Sequence, residues 1–265
     1  MEKEGKAKIM RRAEETVRRM KDYLEKNRIR KAVVGVSGGI DSAVTLVLAT
    51  RAIGPQNVIA ILSPGRNTSE ESTRQAKMLC QHLGVDVKII PIEREQDSSW
   101  TGVVPEKMKR LGEHYPELKG TTLENLQAID RMSVLRAVAN EEEAIIVGTG
   151  NRTEFYFGYF TLGGDGGADI FPLLDWSKGE VYAYAKTQKA IPQFIIERKP
   201  SAELSPGQVD PFDYEEADLF LHRLLDEKKT EKELEEEFGG ETAKKYLGLI
   251  RKNEHKRIRY NDLLR

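Results

Sequence analysis

Six residues between a short apolar run and a helical one, Ser37-Gly38-Gly39-Ile40-Asp41-Ser42, place two hydroxyls, two glycines and a carboxylate in a single turn. Ala32-Val33-Val34-Gly35-Val36 before them is rich in β-branched residues and reads as a buried strand; Ala43 to Ala49 after them carries a helix. Strand, glycine turn and helix N-terminus in that order make an anion site. The unpaired N–H groups of the first helical turn and the positive end of the helix dipole face the turn, and glycine lets a phosphate approach the backbone. The plainer reading of the same residues is a glycine-rich turn with a capping Asp or Ser. No Gly-x-x-x-x-Gly-Lys-Ser/Thr occurs in the chain and no Gly-x-Gly-x-x-Gly follows a strand, so neither a Walker loop nor the dinucleotide fingerprint explains it.

A second set of reactive side chains follows another buried strand, Ala144-Ile145-Ile146-Val147-Gly148, which opens into Thr149-Gly150-Asn151-Arg152-Thr153-Glu154. In a parallel α/β sheet, ligands sit beyond the carboxyl ends of the strands, so this segment is expected to face the same crevice as the first loop. Aromatic residues from Phe155 to Phe160 and the Gly164-Asp165-Gly166-Gly167-Ala168-Asp169 run suit a wall for a planar ring, although composition alone favours core and turn. Lys178 opens a helix after Ser177, and a lysine in a first turn asks for a compensating anion. Residues 199–212 read as a mobile loop, a candidate lid. The tail around His255-Lys256-Arg257 is basic.

The elements that must hold these groups alternate. An amphipathic helix over 7–24 carries Met10, Ala13, Val17, Met20 and Leu24 on one stripe. Asn57 to Leu62 and Val85 to Ile90 are further strands, separated by a helix capped by Thr68 or Ser69 and stopped at Gly84. Leu123 to Asn140 is a helix, Glu141 to Glu143 a solvated turn, and helices are expected near 213–226, 230–238 and 240–253. Residues 93–121 lose the rhythm and read as a loop or insertion. The pattern gives an α/β fold, a doubly wound, mostly parallel sheet flanked by helices, with a helical C-terminal part.

Composition excludes several classes. Among 265 residues, 42 basic and 43 acidic side chains leave a net charge of −1, with no nucleic-acid or membrane footprint. Cys80 is the single cysteine, which excludes an internal disulfide and Cys-based metal clusters and fits a reducing cytoplasm. No apolar run approaches the roughly 20 residues needed to span a bilayer.

The Ser37 to Ser42 loop resembles that of the ATP pyrophosphatases. Together with Gly148-Thr149-Gly150-Asn151-Arg152-Thr153-Glu154, Gly158-Tyr159-Phe160-Thr161, Gly164 to Asp169, Lys178-Gly179-Glu180-Val181, Lys199-Pro200-Ser201-Ala202 and His255-Lys256-Arg257, it resembles the synthetase domain of the NAD synthetases over nearly the whole chain. The resemblance implies an adenine nucleotide alpha hydrolase-like fold in one domain over 1–265. It also implies amidation of nicotinic acid adenine dinucleotide (deamido-NAD) with ATP, Mg²⁺ and ammonia, through an acyl adenylate, to NAD, AMP and pyrophosphate. By it, Asp41, Lys178, Asp165 and Asp169 are the candidate catalytic residues. Ser37, Gly38, Gly39, Ile40, Asp41, Ser42, Thr149, Lys178 and Ser201 bind ATP, and Asp41 and Glu154 hold Mg²⁺. Asn125, Arg131, Phe160, Leu162, Asp165, Asp169, His255 and Lys256 meet the acceptor substrate. It further implies a cytoplasmic homodimer, and with no room for a glutaminase domain before residue 30, nitrogen is expected from free ammonia.

The departures from that family fall on the acceptor side. Ile129 stands where an arginine is common, Leu162 replaces a frequent lysine, and Asp210-Pro211-Phe212-Asp213 replaces an acidic Glu-Leu-Gly segment. Two other readings follow, an adenylating amidase for a different carboxylate and a non-catalytic ATP-binding relative. A tRNA-modifying relative is disfavoured by the single cysteine and the neutral charge.

Overall fold

The computed structural model describes residues 2–65, 67–92, 113–115, 117, 120–201, 204 and 207–261, without side-chain detail at 2, 3 and 258–261. Most of the expected 93–121 insertion, and part of the expected lid, lie outside the described residues.

Four short strands, β1 (Lys31–Gly35), β2 (Val58–Leu62), β3 (Asp86–Ile89) and β4 (Ala144–Val147), form one parallel sheet in the order β3-β2-β1-β4. The side chains of β1 and β2 alternate between two apolar layers, which is why these strands read as continuous hydrophobic runs, whereas β3 at the edge is partly exposed. Ala32, Val34, Ala60 and Leu62 enter the larger core. Val33, Ile59, Ile61 and Ile146 enter the smaller one on the opposite face.

The larger core is covered by α1 (Glu2–Lys26), α2 (Ile40–Ile53), α3 (Glu70–Leu83), α6 (Lys178–Ala185) and α7 (Gln193–Glu197), and the smaller by α4 (Gly120–Glu141). The remaining helix of the α/β part, α5 (Arg152–Phe157), follows β4. Helix α1 extends beyond the expected 7–24 with the expected stripe inward: Ala13, Met20 and Leu24 are buried. Ser69 caps α3 through Ser72 N, and Gly84 ends it in the left-handed region at φ 67°. Residues 141–143 end the helix in the exposed turn expected from their charge, with Glu141 and Glu143 in solvent, but the middle carboxylate is not free. Glu142 accepts from Lys31 Nζ at 2.8 Å and Lys88 Nζ at 2.5 Å, tying the end of α4 to β1 and β3.

Because β2 and β3 lie on one side of β1 and β4 on the other, the order of strand addition switches sides at β1, and the connections leaving β1 and β4 part there into a crevice. The C-terminal helices are α8 (Tyr214–Leu221), α9 (Glu231–Phe238), α10 (Gly240–Lys252) and α11 (Glu254–Asn261), of which α11 reaches the crevice through Lys256. They have their own core of Ala217, Phe220, Leu221, Leu234, Ala243, Tyr246 and Leu247, into which Phe157 at the end of α5 inserts.

Candidate active site

The crevice is a cleft of about 530 Å³. One wall is the turn between β1 and α2. Gly38 adopts φ 81°, and a Cβ there would stand 2.6 Å from Ser72 O, so both conformation and space require glycine. Ser37 N donates to Ser42 Oγ at 3.2 Å, Ser42 Oγ donates to Gly39 O at 2.9 Å, and Gly39 N donates to Ser37 Oγ at 3.2 Å. The hydroxyls thus brace the turn from within. Gly39 caps α2 without a side-chain hydrogen bond. Gly39, Ile40, Asp41 and Ser42 line the cleft and present the start of that helix to it.

The opposite wall comes from β4. Gly148 lies against the Phe171 ring, where a Cβ would come within 2.4 Å, and this lets the chain turn into Thr149. Asn151 caps α5 in a reciprocal box with Glu154. Asn151 Nδ2 also donates to Asp41 Oδ1 at 2.9 Å, linking the two strand ends directly. Between them stands Lys178, with its side chain 2% exposed, ion-paired to Asp41 and 3.6 Å from Glu154 Oε1.

The electrostatics follow from this crowding. Burial, reinforced by the Asp41 charge, pushes the Glu154 carboxyl above the ordinary carboxylate range, against the pull of the Lys178 ammonium. Burial alone would lower the Lys178 ammonium, but Asp41 and Glu154 outweigh it and hold Lys178 above the ordinary lysine range. Tyr214 lays its ring 4.7 Å from Lys178 Nζ and donates to Asp210 Oδ2 at 2.8 Å; burial and the nearby carboxylates push its hydroxyl well up. Asp41 and Glu154 are two hard oxygen donors beside a phosphate-type loop. Among the described residues no group of three or more His, Cys, Asp or Glu is placed to hold a metal ion by itself. Two carboxylates completed by phosphate oxygens and water are a donor set that suits Mg²⁺.

Of the residues singled out from sequence, Ser37, Gly39, Ile40, Asp41, Ser42, Thr149, Glu154, Lys178 and Ser201 line the cleft, and so do Asn125, Arg131, Phe160, Asp165 and Lys256. Asp165 opens onto it, and the protein crowded round it pushes its carboxyl above the ordinary carboxylate range. Lys256 Nζ donates to Gly158 O and Phe160 O at 2.7 Å each and lies 5.2 Å from the Phe160 ring. Gly38, Leu162, Asp169 and His255 are not among the lining residues. Asp169 instead takes both Arg136 nitrogens, at 3.0 and 2.7 Å, and accepts from Ile146 N at 2.7 Å. His255 Nδ1 faces Lys252 O at 3.1 Å.

Arg198 and Tyr214 line or border the cleft without having been singled out, and Asp210, from the segment that departs from the family, lines it as well. Arg198 Nη1 donates to Ser72 Oγ at 2.8 Å, beside the glycine turn. The Arg198-Lys199 pair before Pro200 was the signal available for it. Tyr214 carried none, since its role arises from contacts with Lys178 and Asp210.

Comparison with known proteins agrees with this geometry. A family model described as NAD synthase matches residues 12–259. The NH(3)-dependent NAD(+) synthetase of Thermococcus kodakarensis is 38% identical over 233 residues, covering 85% of each chain. That of Fusobacterium nucleatum is 34% identical, covering 92% of this chain and 91% of its own. The solved structure of NMN synthetase from Francisella tularensis superposes with a TM-score of 0.77 at 28% identity, covering 94% of this chain and 95% of that one. The chain therefore belongs to the NAD synthase family.

Proposed function

We propose that this chain is an ammonia-dependent NAD synthetase that amidates the pyridine carboxylate of deamido-NAD at the expense of ATP. The observation that carries the reading is the meeting of Asp41, Glu154 and Lys178 beside the glycine turn, where a nucleotide's phosphates would lie against the start of α2. The names of relatives matched along most of both chains support the same activity and nitrogen source.

A carboxylate is a poor electrophile. Its oxygen attacks the α-phosphorus of ATP, the bond to pyrophosphate breaks, and the resulting acyl adenylate is attacked by ammonia at the acyl carbon with AMP as leaving group. Negative charge grows on the phosphorus and the departing pyrophosphate, so positioning and fixed charge carry the step. The N–H groups at the start of α2 and the Ser37 hydroxyl hold the phosphates over a turn braced by Ser42, with Thr149 and Ser201 beside the nucleotide and Lys178 opposing the growing charge. Asp41 and Glu154 would hold a Mg²⁺ ion, which supplies further neutralisation of phosphate charge. Phe160 and Asn125 flank the pyridine end, Arg131 and Lys256 face the acceptor's charge, and Asp165 takes a proton from the incoming ammonium.

The reading includes a single catalytic domain that functions as a homodimer, which light scattering on purified protein tests. Among the described residues no helix is long and apolar enough to cross a membrane.

A second acceptor is favoured by one observation, the 0.77 superposition on a protein named NMN synthetase. The mononucleotide carboxylate is therefore the competing substrate; of the positions that depart from the family, Asp210 lines the cleft and Ile129 and Leu162 do not. Pyrophosphate release with Mg-ATP and ammonium, compared between the dinucleotide and the mononucleotide acids, decides between them. A kcat/KM higher by about tenfold or more for the dinucleotide supports the first reading; the reverse order replaces it.

A further inference from the structure

Helix α6 starts under unusual demands. Its first residue, Lys178, is a buried cation at the end of a helix whose dipole already disfavours one. All four N–H groups at that end are nevertheless satisfied. Ser177 and Glu180 bond each other reciprocally, Ser177 N to Glu180 Oε2 at 3.0 Å and Glu180 N to Ser177 Oγ at 3.2 Å. The other two are taken from a distant part of the chain: Lys178 N donates to Asp218 Oδ1 at 3.2 Å and Gly179 N to Asp218 Oδ2 at 2.7 Å. Asp218 Oδ1 also accepts from Thr153 Oγ1. Thr153 is fully buried and immediately precedes Glu154.

One carboxylate on α8 therefore fixes the backbone of the residue carrying the Lys178 ammonium and the side chain next to Glu154. The two charged ends it serves stand 3.6 Å apart across the cleft. Asp218 itself is not a lining residue. Its neighbours Ala217, Phe220 and Leu221 are locked in the C-terminal core, so the carboxylate is presented on a rigid support. We propose that Asp218 is the positioning residue of the site: it sets the start of α6 and, through Thr153, the start of α5, so that Lys178 and Glu154 meet Asp41 and the phosphates in register. The carboxylate also supplies the anion that a lysine in a first helical turn requires. This inference rests on the reading of the cleft as the adenylating site.

The test uses the full-length protein and Asp218→Asn, which keeps the size but offers one acceptor where two N–H groups and a hydroxyl ask for more. Thr153→Val serves as a second variant that removes only the hydroxyl. Glu216→Gln is the control; Glu216, two positions from Asp218 on α8, has its side chain turned to Tyr246, accepting from Tyr246 Oη at 2.8 Å within the C-terminal helices. The expected result is a fall in kcat for pyrophosphate release of about tenfold or more in D218N, with the KM for ATP changed by less than about threefold. In a Lys178→Arg background, D218N should cost no more than about twofold further, because both changes act on one element. A kcat for D218N within about twofold of wild type, an equal loss in E216Q, or full multiplication of the two losses would overturn the proposal. Amide exchange at residues 178 and 179, faster in D218N and unchanged in E216Q, reads the same contact without turnover. If wild type releases no pyrophosphate, the activity reading fails, and exchange alone decides whether Asp218 holds the start of α6: unchanged exchange in D218N rejects it.

Discussion

Lys178 opens α6 and Asp41 sits in the first turn of α2, 137 positions away, and the two form an ion pair at the floor of the cleft. Lys178 is buried, so the pair is shielded from water and its charge acts on whatever lies against α2 with little screening. Replacing Lys178 by Met should lower kcat for pyrophosphate release by about 10²- to 10³-fold, the scale of losing one fixed charge aimed at a transition state. Single-turnover pyrophosphate release, with circular dichroism to confirm the fold, measures this.

The turn itself makes a separate prediction. Gly38→Ala must place a Cβ at φ 81°, 2.6 Å from the Ser72 carbonyl. The backbone has to move, at a cost of about 1–3 kcal/mol, and the start of α2 moves with it. Calorimetric titration with a non-hydrolysable ATP analogue should show affinity lowered by about tenfold or more alongside a reduced Tm.

The strands and most helices were legible because their signals are local. The apolar runs at 32–36, 58–62 and 144–147, and the Ser69 and Gly84 caps, are read from neighbouring residues. The crevice was legible through the strand-end rule, which brought Asp41 and Glu154 together before any contact was seen. Asp218 was not, because nothing within α8 distinguishes it from Glu215 or Glu216; its role exists only through Lys178 and Thr153, 40 and 65 positions away. The contacts of Glu142 stayed hidden for a related reason. A run of three glutamates looks solvated until β1 and β3 bring two lysines to the middle one.

Glu142 makes a prediction about pH. Hydrogen bonds from Lys31 and Lys88 hold its carboxyl down to about 2, below the ordinary carboxylate value. A depressed carboxylate stabilises the fold above its unfolded pKa and loses that contribution as pH falls through its folded one. Glu142→Gln should therefore have a lower Tm than wild type at neutral pH, with the difference closing between the ordinary value of 4.5 and about 2. Thermal unfolding of both proteins across that range checks the sign.

Asp165 and Asp169 lie four positions apart and should behave differently. Asp169 is paired with Arg136 and the backbone of β4, so Asp169→Asn should lower stability by about 1–3 kcal/mol while leaving the KM for ATP unchanged. Asp165 opens onto the cleft beside Phe160, so Asp165→Asn should lower the rate with ammonium at an unchanged Tm. Denaturant titration and ammonium-dependent rates of the two variants separate these effects.

The central claim is that the cleft joins a carboxylate oxygen to the α-phosphorus of ATP, and isotope transfer tests it most directly. Deamido-NAD carrying ¹⁸O in its pyridine carboxylate is incubated with the protein, Mg-ATP and ammonium, and the products are read by mass spectrometry. The account predicts one ¹⁸O in AMP, none in pyrophosphate, and NAD formed in equal amount. Formation of ADP, or of AMP without the label, would contradict it.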